Sequence, residues 1–335
     1  MELDTETREP HHVQELWFED GNLVIEAGTS RFRVYRGVLA ARSPVFHDML
    51  SFPQPPDAEL VEGCPLVHLH DAEADVTVFL RAIYDSSFFM PYPVRTDFDS
   101  IAGCLRLSHK YGVDYLQRRA LIHLSSGYYT NLADSDARVG NDVPTLNEIS
   151  WNDPGSTAYC ISAIGLAREV SALWILPYAF YSLSAAFKSL GMSIFHGTVY
   201  KGTQVNLSLE DQESFLNGYH IQRTSTTKDI LRFLFHPADI PVCTDRTRCL
   251  EMRFKAFKAS WDMLEDDPCI PLDIWTPDDW ITLAAVCPAC LAVLKRVHQD
   301  ARQRFWDSLP EIYGLPSWKE LEAMKVAAIG TDWLA

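Results

Sequence analysis

Two short segments near the start of the chain have the apolar pattern of β-strands, one as a continuous run and the other as an alternation with polar residues. Leu23-Val-Ile25 is an apolar run that follows the turn-forming sequence Asp20-Gly-Asn22. Phe32 and Val34 alternate with polar residues beyond a Gly-containing turn at residues 27–30. Two β-rich runs around such a loop are typical of a hairpin, so a hairpin is the first predicted element.

Beyond the hairpin the apolar spacing becomes that of helices. Ser43-Pro44 divides the first helical stretch into two short helices, with Ser43 as N-cap and Pro44 at the first helical position. Residues 66–69 are predicted as a brief strand, and Asp71 can cap the helix after it. That helix and two more follow the i, i+3, i+4 pattern. Their apolar positions are Val76, Phe79, Leu80 and Ile83; Ile101, Cys104 and Leu105; and Val113, Leu116, Ala120 and Leu124.

These patterns divide the chain into four parts. Residues 1–14 are polar and charged and predict a flexible tail, whereas residues 15–130 predict a compact α+β unit. Residues 131–157 are rich in Asn, Asp, Gly, Ser and Pro, which indicates a linker or long loop. Residues 158–335 are mostly helical in pattern, with one helix expected from 277 to 306. The predicted fold class is therefore α+β followed by a mostly α-helical C-terminal region.

Charge and composition narrow the classes of partner. The chain has 335 residues, and 45 acidic against 29 basic side chains give a net charge of −16. Such a surface repels phosphate backbones, and no local basic patch offsets it, so no nucleic-acid partner is expected. The acidic start lacks the features of a secretory signal, and the most apolar stretch, residues 171–187, is interrupted by Pro177. We expect no membrane partner, a cytoplasmic and/or nuclear location, and reduced thiols.

The sequence contains none of the motifs that usually reveal an enzyme. Neither GxGxxG nor GxxxxGK[ST] occurs, and HExxH and GxSxG are also absent. The acidic groups at residues 265–267 and 278–279 are adjacent in sequence, so on a helix they point in different directions and make poor acid–base pairs. We expect no catalytic residues.

Four of the eight cysteines have spacing of interest. Cys287-Pro-Ala-Cys290 has the spacing of a zinc knuckle, and Cys243 and Cys249 form a second pair with a longer spacer. Together they match a structural zinc site, and His298 and His236 are alternative ligands for one of its positions. Two other interpretations remain open: buried core thiols, and a redox pair that lacks the usual βαβ context. No cofactor is expected, unless the four cysteines hold this structural zinc.

The order of elements and the apolar positions between Asp20 and Leu124 resemble a BTB (POZ) domain. The segments that carry the resemblance are Asp20-Gly-Asn-Leu-Val-Ile25, Phe32-Arg-Val-Tyr-Arg-Gly-Val-Leu39 and Ala41-Arg-Ser-Pro-Val-Phe46-His-Asp-Met49-Leu50. Tyr35-Arg36 stands where many members of the family have His-Lys. The whole chain is similar to a group of fungal BTB proteins through four C-terminal segments. These are Cys287-Pro-Ala-Cys290, Arg304-Phe-Trp306, Leu309-Pro310 and Gly314-Leu-Pro-Ser-Trp318.

The resemblance implies protein–protein interaction, commonly through homodimers. Trp17 and Phe18, just before Asp20, are candidates for an apolar dimer edge. The alternative is that these two aromatic side chains cover the core of their own domain. Asp20 and Arg36 are candidates for a charged pair near the interface, with a plain surface ion pair as the alternative.

Many BTB proteins are adaptors that bring substrates to cullin-type ubiquitin ligases, and others recruit transcriptional co-repressors. In adaptors, an apolar–any–Glu motif often lies between the third helix and the next strand. Leu60-Val61-Glu62 fits this short pattern, which makes Leu60 and Glu62 candidate cullin contacts. The expected function is therefore a self-associating interaction protein of the adaptor type. The alternatives are a nuclear co-regulator and, in a different class, an enzyme whose site lies in the helical half.

Overall fold

A computed structural model of the chain describes residues 10–52, 59–139, 151, 156–185, 192–223, 227–266 and 271–331. The described residues form two compact units. The first contains the residues up to Gly127, together with Trp151 and the residues after Lys325. The second contains the remaining described residues from Tyr128 to Lys325.

A mixed sheet forms one layer of the first unit. Its strands are β1 (His11–Trp17), β2 (Leu23–Ala27), β3 (Ser30–Val34), β4 (Leu60–Val61) and β5 (Cys64–Leu69). Their order across the described sheet is β1-β3-β2-β5-β4. β2 and β3 form the predicted antiparallel hairpin, while β1 runs parallel to β3, and β5 runs parallel to β2. Both faces of the central strand β2 are buried, because Leu23, Val24 and Ile25 are each at most 1% exposed.

Between residues 36 and 125, the described part of the first unit contains five helices. They are α1 (Arg36–Arg42), α2 (Pro44–Ser51), α3 (Glu73–Tyr84), α4 (Phe98–Tyr111) and α5 (Asp114–Ser125). The predicted break at Ser43 is confirmed, since its hydroxyl accepts a hydrogen bond from the Phe46 amide at 3.0 Å and Pro44 begins α2. α3 packs against α4, and α4 packs against α5. Most of the apolar positions that predicted α3 to α5, among them Val76, Phe79 and Ile101, are fully buried, whereas Ile83 is half-buried.

Two local predictions in this unit were wrong. The chain is extended from His11 in β1 rather than remaining a tail up to Gln14, because Leu16 is buried and anchors the strand. Residues 1–9 of the predicted tail lie outside the described residues. Asp71 does not cap α3, whose N-cap is Ala72. Instead the Asp71 carboxylate accepts hydrogen bonds from Lys110 and Tyr111 on α4.

The second unit is mostly helical. Its elements are α6 (Leu132–Val139), α7 (Thr157–Glu169), α8 (Leu176–Ala185), α9 (Ser193–His196), β6 (Thr198–Tyr200), β7 (Thr203–Val205), α10 (Leu209–Ile221), α11 (Thr227–Leu231), α12 (Arg246–Asp266) and α13 (Pro288–Ile312). The last helix of the chain is α14 (Trp318–Ile329). α6 occupies part of the predicted linker at 131–157, of which residues 140–150 and 152–155 lie outside the described residues. Within the part of the chain that is described, no helix is long and apolar enough to cross a membrane.

The helix predicted from 277 to 306 is divided. Residues Pro277–Leu283 form a 3-10 helix, and α13 starts only at Pro288. Pro288 favours this new start because proline fits the first turn of a helix and disfavours its interior. The division places Cys287 at the N-cap of α13 instead of inside a helix.

Candidate functional site

Four cysteine side chains converge in the second unit. Their sulfur atoms, on Cys243, Cys249, Cys287 and Cys290, all lie within 4.8 Å of one another. Cys243 precedes α12 and Cys249 lies in its first turn, while Cys287 is the N-cap of α13 and Cys290 lies in its first turn. The cluster is therefore built from the N-terminal ends of two helices, and its donor set is one that can hold a metal ion.

Hydrogen bonds link the four thiols to each other and to the backbone. The Cys287 amide donates to Cys249 Sγ at 3.3 Å, and the Sγ atoms of Cys287 and Cys243 are 4.0 Å apart. Hydrogen bonds from Thr244 and from the Cys290 amide lower the pKa of Cys287 to about 5. Burial raises the pKa of the Cys249 and Cys290 thiols. The cluster thus contains one thiol that readily ionises beside two that are shielded from water.

The cluster borders an apolar core and a buried cation. Cys249 and Cys290 are members of the core that also contains Phe233 and Trp275. Arg253 is 2% exposed and lies four residues after Cys249 on α12. Its guanidinium donates to backbone carbonyls. Burial lowers the pKa of Arg253, and the charge of the cluster's thiols opposes this effect.

Neither histidine considered as a substitute ligand belongs to the cluster. The donor set that lies together consists of the four cysteines alone. The ring of His298 packs between Phe233 and Trp280, at centroid distances of 4.9 and 5.5 Å, and burial lowers its pKa to about 4. His236 is exposed beside Phe235. His298 is therefore a core residue.

The two aromatic residues predicted at a dimer edge are half-buried within their own unit. Trp17 ends β1 and stacks on His12, with ring centroids 3.5 Å apart. Phe18 packs against Tyr35 and Tyr84, at 5.0 and 5.5 Å. The part of each ring that remains accessible lies where β1 runs along one edge of the described sheet.

Asp20 and Arg36 do not form the predicted ion pair. Asp20 accepts a hydrogen bond from the Tyr35 hydroxyl at 2.5 Å. The Arg36 guanidinium instead donates to the carbonyl of Leu50, near the C-terminal end of α2, where a cation is favourable. The pairing was wrong because each side chain has a nearer partner that the linear sequence does not reveal.

Leu60 and Glu62 lie on a short hairpin that follows the second helix, not the third. Leu60 is in β4 and is 60% exposed. Glu62 is in the turn to β5, has a φ of +49°, and accepts a 3.1 Å hydrogen bond from Arg33. The apolar side chain is therefore available to a partner, while the carboxylate is held by its own unit.

Several residues at these sites were not found from the sequence. His12, Tyr35 and Tyr84 support the two N-terminal aromatic rings, and Thr244 and Arg253 adjoin the cysteine cluster. Only Arg253 has a sequence signal, since four residues after Cys249 is the same face of a helix. The others depend on contacts between distant parts of the chain.

Comparison of the chain with models of known protein families gives a match to one domain family. Residues 17–127 match the model of the BTB/POZ domain. No curated protein and no solved structure is significantly similar to the chain. The matched segment contains β2 to β5 and α1 to α5, and it begins at Trp17, the last residue of β1. The chain therefore carries a BTB/POZ domain, which is a protein-interaction domain and not typically an enzymatic one, and a largely helical region follows it.

Proposed function

We propose that the protein self-associates through its BTB domain and acts as an adaptor that joins a second protein to a cullin-type ubiquitin ligase. The observation that carries the interaction role is the BTB/POZ match over residues 17–127. In this proposal the helical region binds the protein that is to be modified. The acidic net charge of −16 favours a partner with a basic surface.

The edge of the sheet supports self-association. β1 pairs with β3 on one side only, so in the described part of the sheet its other side presents backbone groups to solvent. Such an edge pairs readily with a strand of another chain. Trp17 adds a large, half-buried ring at the end of the same strand, and aromatic residues are enriched at the centres of interfaces.

Light scattering after size-exclusion chromatography tests self-association. We expect the full chain to elute as a dimer and the Trp17→Lys variant to shift toward the monomer, because a cation replaces apolar contact area. Ile281→Lys is the matched control, since Ile281 is 79% exposed in the second unit and lies far along the sequence from β1. A monomer for the unsubstituted chain at micromolar concentration would contradict the proposal.

The β4–β5 hairpin supports the adaptor role. Leu60 is an exposed apolar side chain with Glu62 beside it, in the order that cullin adaptors often show. Arg33 pairs with the Glu62 carboxylate, and the Glu62 side chain stays 50% exposed, so a partner can also reach it beside Leu60. Residues 53–58, between α2 and this hairpin, lie outside the described residues.

Titration with a purified cullin N-terminal region tests the adaptor role. We expect Leu60→Lys and Glu62→Gln to weaken binding by about tenfold or more, which corresponds to about 1.4 kcal/mol. Phe254→Lys is the control, because Phe254 is also well exposed but lies on α12. A chain that dimerises but binds no cullin fragment would refute the adaptor role and favour the co-regulator.

A further inference from the structure

We propose that Cys243, Cys249, Cys287 and Cys290 bind one zinc ion, which joins the N-terminal ends of α12 and α13. The ion would stabilise the helical region, so this inference goes beyond the proposed function of the BTB domain and does not depend on it.

The distances between the sulfur atoms fit a single metal ion. Four thiolates about 2.3 Å from a tetrahedral zinc ion are about 3.8 Å from one another. In this cluster no separation exceeds 4.8 Å, and Cys243 and Cys287 are 4.0 Å apart. A disulfide would require about 2.05 Å, and all four thiols are free. Cysteines that serve only as apolar core residues are not expected to place four sulfur atoms this close together.

The start of α12 brings Cys243 and Cys249 close together although five residues separate them in the sequence. Cys249 lies in the first turn of α12, so the helix directs its side chain back toward Cys243. Cys287 and Cys290 have the two-residue spacing of a zinc knuckle, with Cys287 at the N-cap of α13 and Cys290 in its first turn. Helix N-termini favour negative charge, and the amide of Cys287 donates to Cys249 Sγ. Both pairs therefore stand where thiolates are stabilised.

Arg253 provides an independent argument from charge. It is 2% exposed, and among the described residues no carboxylate forms an ion pair with it. Its recorded hydrogen bonds go to the carbonyls of Leu234, Phe233 and Pro237. A buried cation without a counter-charge is costly. Zn²⁺ with four thiolates carries a net charge of −2, and it would supply that counter-charge beside Arg253.

The ligand set also determines the role and the identity of the metal. Four protein ligands leave no open position for water or substrate, so the site is structural and not catalytic. Tetrahedral sites of four thiolates select zinc or iron, and zinc needs no redox partner. The zinc would hold together an apolar core that contains Phe233, Trp275 and Leu294.

Metal analysis of the full chain, purified under reducing conditions, tests the assignment. We expect about one equivalent of zinc for the unsubstituted chain and less than about a fifth for Cys249→Ser and Cys290→Ser. Cys160→Ser is the matched control and should retain the metal, since Cys160 is in the second unit but outside the cluster. Zinc below about half an equivalent, or full zinc in both cluster variants, would overturn the proposal.

Two measurements on the unsubstituted chain keep the test valid if the variants fail to fold. Replacement of the metal by Co²⁺ should give the visible bands of a tetrahedral thiolate site. A strong chelator should lower the melting temperature, and re-addition of zinc should restore it. Iron in place of zinc, or a chelator without effect on melting, would refute the structural zinc.

Discussion

Asp211 is a buried carboxylate whose charge is matched by neighbouring side chains. It is 2% exposed, and Arg168 donates to its Oδ1 atom from Nε at 2.9 Å and from Nη2 at 2.7 Å. The Ser208 hydroxyl donates to Oδ2 at 2.8 Å, and as the N-cap of α10 it accepts a hydrogen bond from the Asp211 amide at 3.1 Å. These contacts join α7 to the start of α10 and leave the carboxylate fully paired.

We expect Asp211→Ala to lower the free energy of unfolding by about 3 kcal/mol, because Arg168 loses its main partner in a poorly hydrated site. Chemical denaturation of both proteins would measure the difference. Glu210→Ala is the control, since Glu210 also lies near Arg168 but its side chain is 79% exposed, and it should change stability by about 0.5 kcal/mol or less. Equal effects from the two substitutions would contradict this account.

His298 makes the stability of the second unit depend on pH. Burial, aided by the charge of Arg302, lowers its pKa to about 4, whereas an unfolded chain takes up this proton near pH 6.5. The unfolded state therefore binds more protons between these values, and the folded state loses stability as pH falls from 6.5 to 4. Among the described residues, its Nε2 atom has no hydrogen-bond partner.

Replacement of this histidine should reduce the pH dependence. Between pH 6.5 and 4 the free energy of unfolding should fall less in His298→Leu than in the unsubstituted chain. We expect the difference between the two falls to be on the order of 3 kcal/mol. Urea denaturation at a series of pH values measures the difference between the two curves. The exposed His220, replaced by Gln, is the control. Parallel curves for His298→Leu and the unsubstituted chain would show that His298 does not control this loss.

Packing between helices in the second unit depends on one glycine. Gly218 lies on α10, and a Cβ atom at this position would be 2.2 Å from Cε1 of Tyr313. Tyr313 is 1% exposed and stacks on Phe180 of α8, and its hydroxyl bonds to Ser184 and Gln222. The ring therefore has no free space into which to move.

We expect Gly218→Ala to lower the free energy of unfolding by about 1–3 kcal/mol through overpacking. Gly165→Ala on α7 is the matched control, because no atom lies within 4 Å of a Cβ placed there. Alanine favours a helix interior over glycine by about 1 kcal/mol, so the control should be neutral or stabilising. Melting temperatures separate the two outcomes, and a stabilised Gly218→Ala variant would contradict the packing argument.

Across the whole molecule, the sequence patterns predicted those elements that depend on residues close together in the chain. The hairpin of β2 and β3, the Ser43 cap and helices α3 to α5 follow from alternation, capping and periodicity, and the structure confirms them. The parallel pairing of β1 with β3 could not be predicted, since it joins residues through contacts that no local period encodes. The same reason explains the error over Asp20 and Arg36.

The cysteine cluster could be predicted in part from the sequence. The spacing of Cys287 and Cys290 indicated a ligand pair, but its convergence with Cys243 and Cys249 required the structure. The break before Pro288 decides the geometry, because a continuous helix through residue 287 would have moved that thiol away from an N-cap position. Sequence reasoning therefore grouped the four cysteines that lie together in the structure, but it did not predict the arrangement that brings them together.

The closeness of Cys243 and Cys287 also has a consequence for the unfolded chain. These residues are 44 positions apart in sequence, although their sulfur atoms are separated by 4.0 Å. A bond through a metal would close a loop of that length, and loop closure of this size removes conformational entropy worth about 4 kcal/mol from the unfolded state. The cluster would thus act as a cross-link that needs no disulfide and that a chelator can remove.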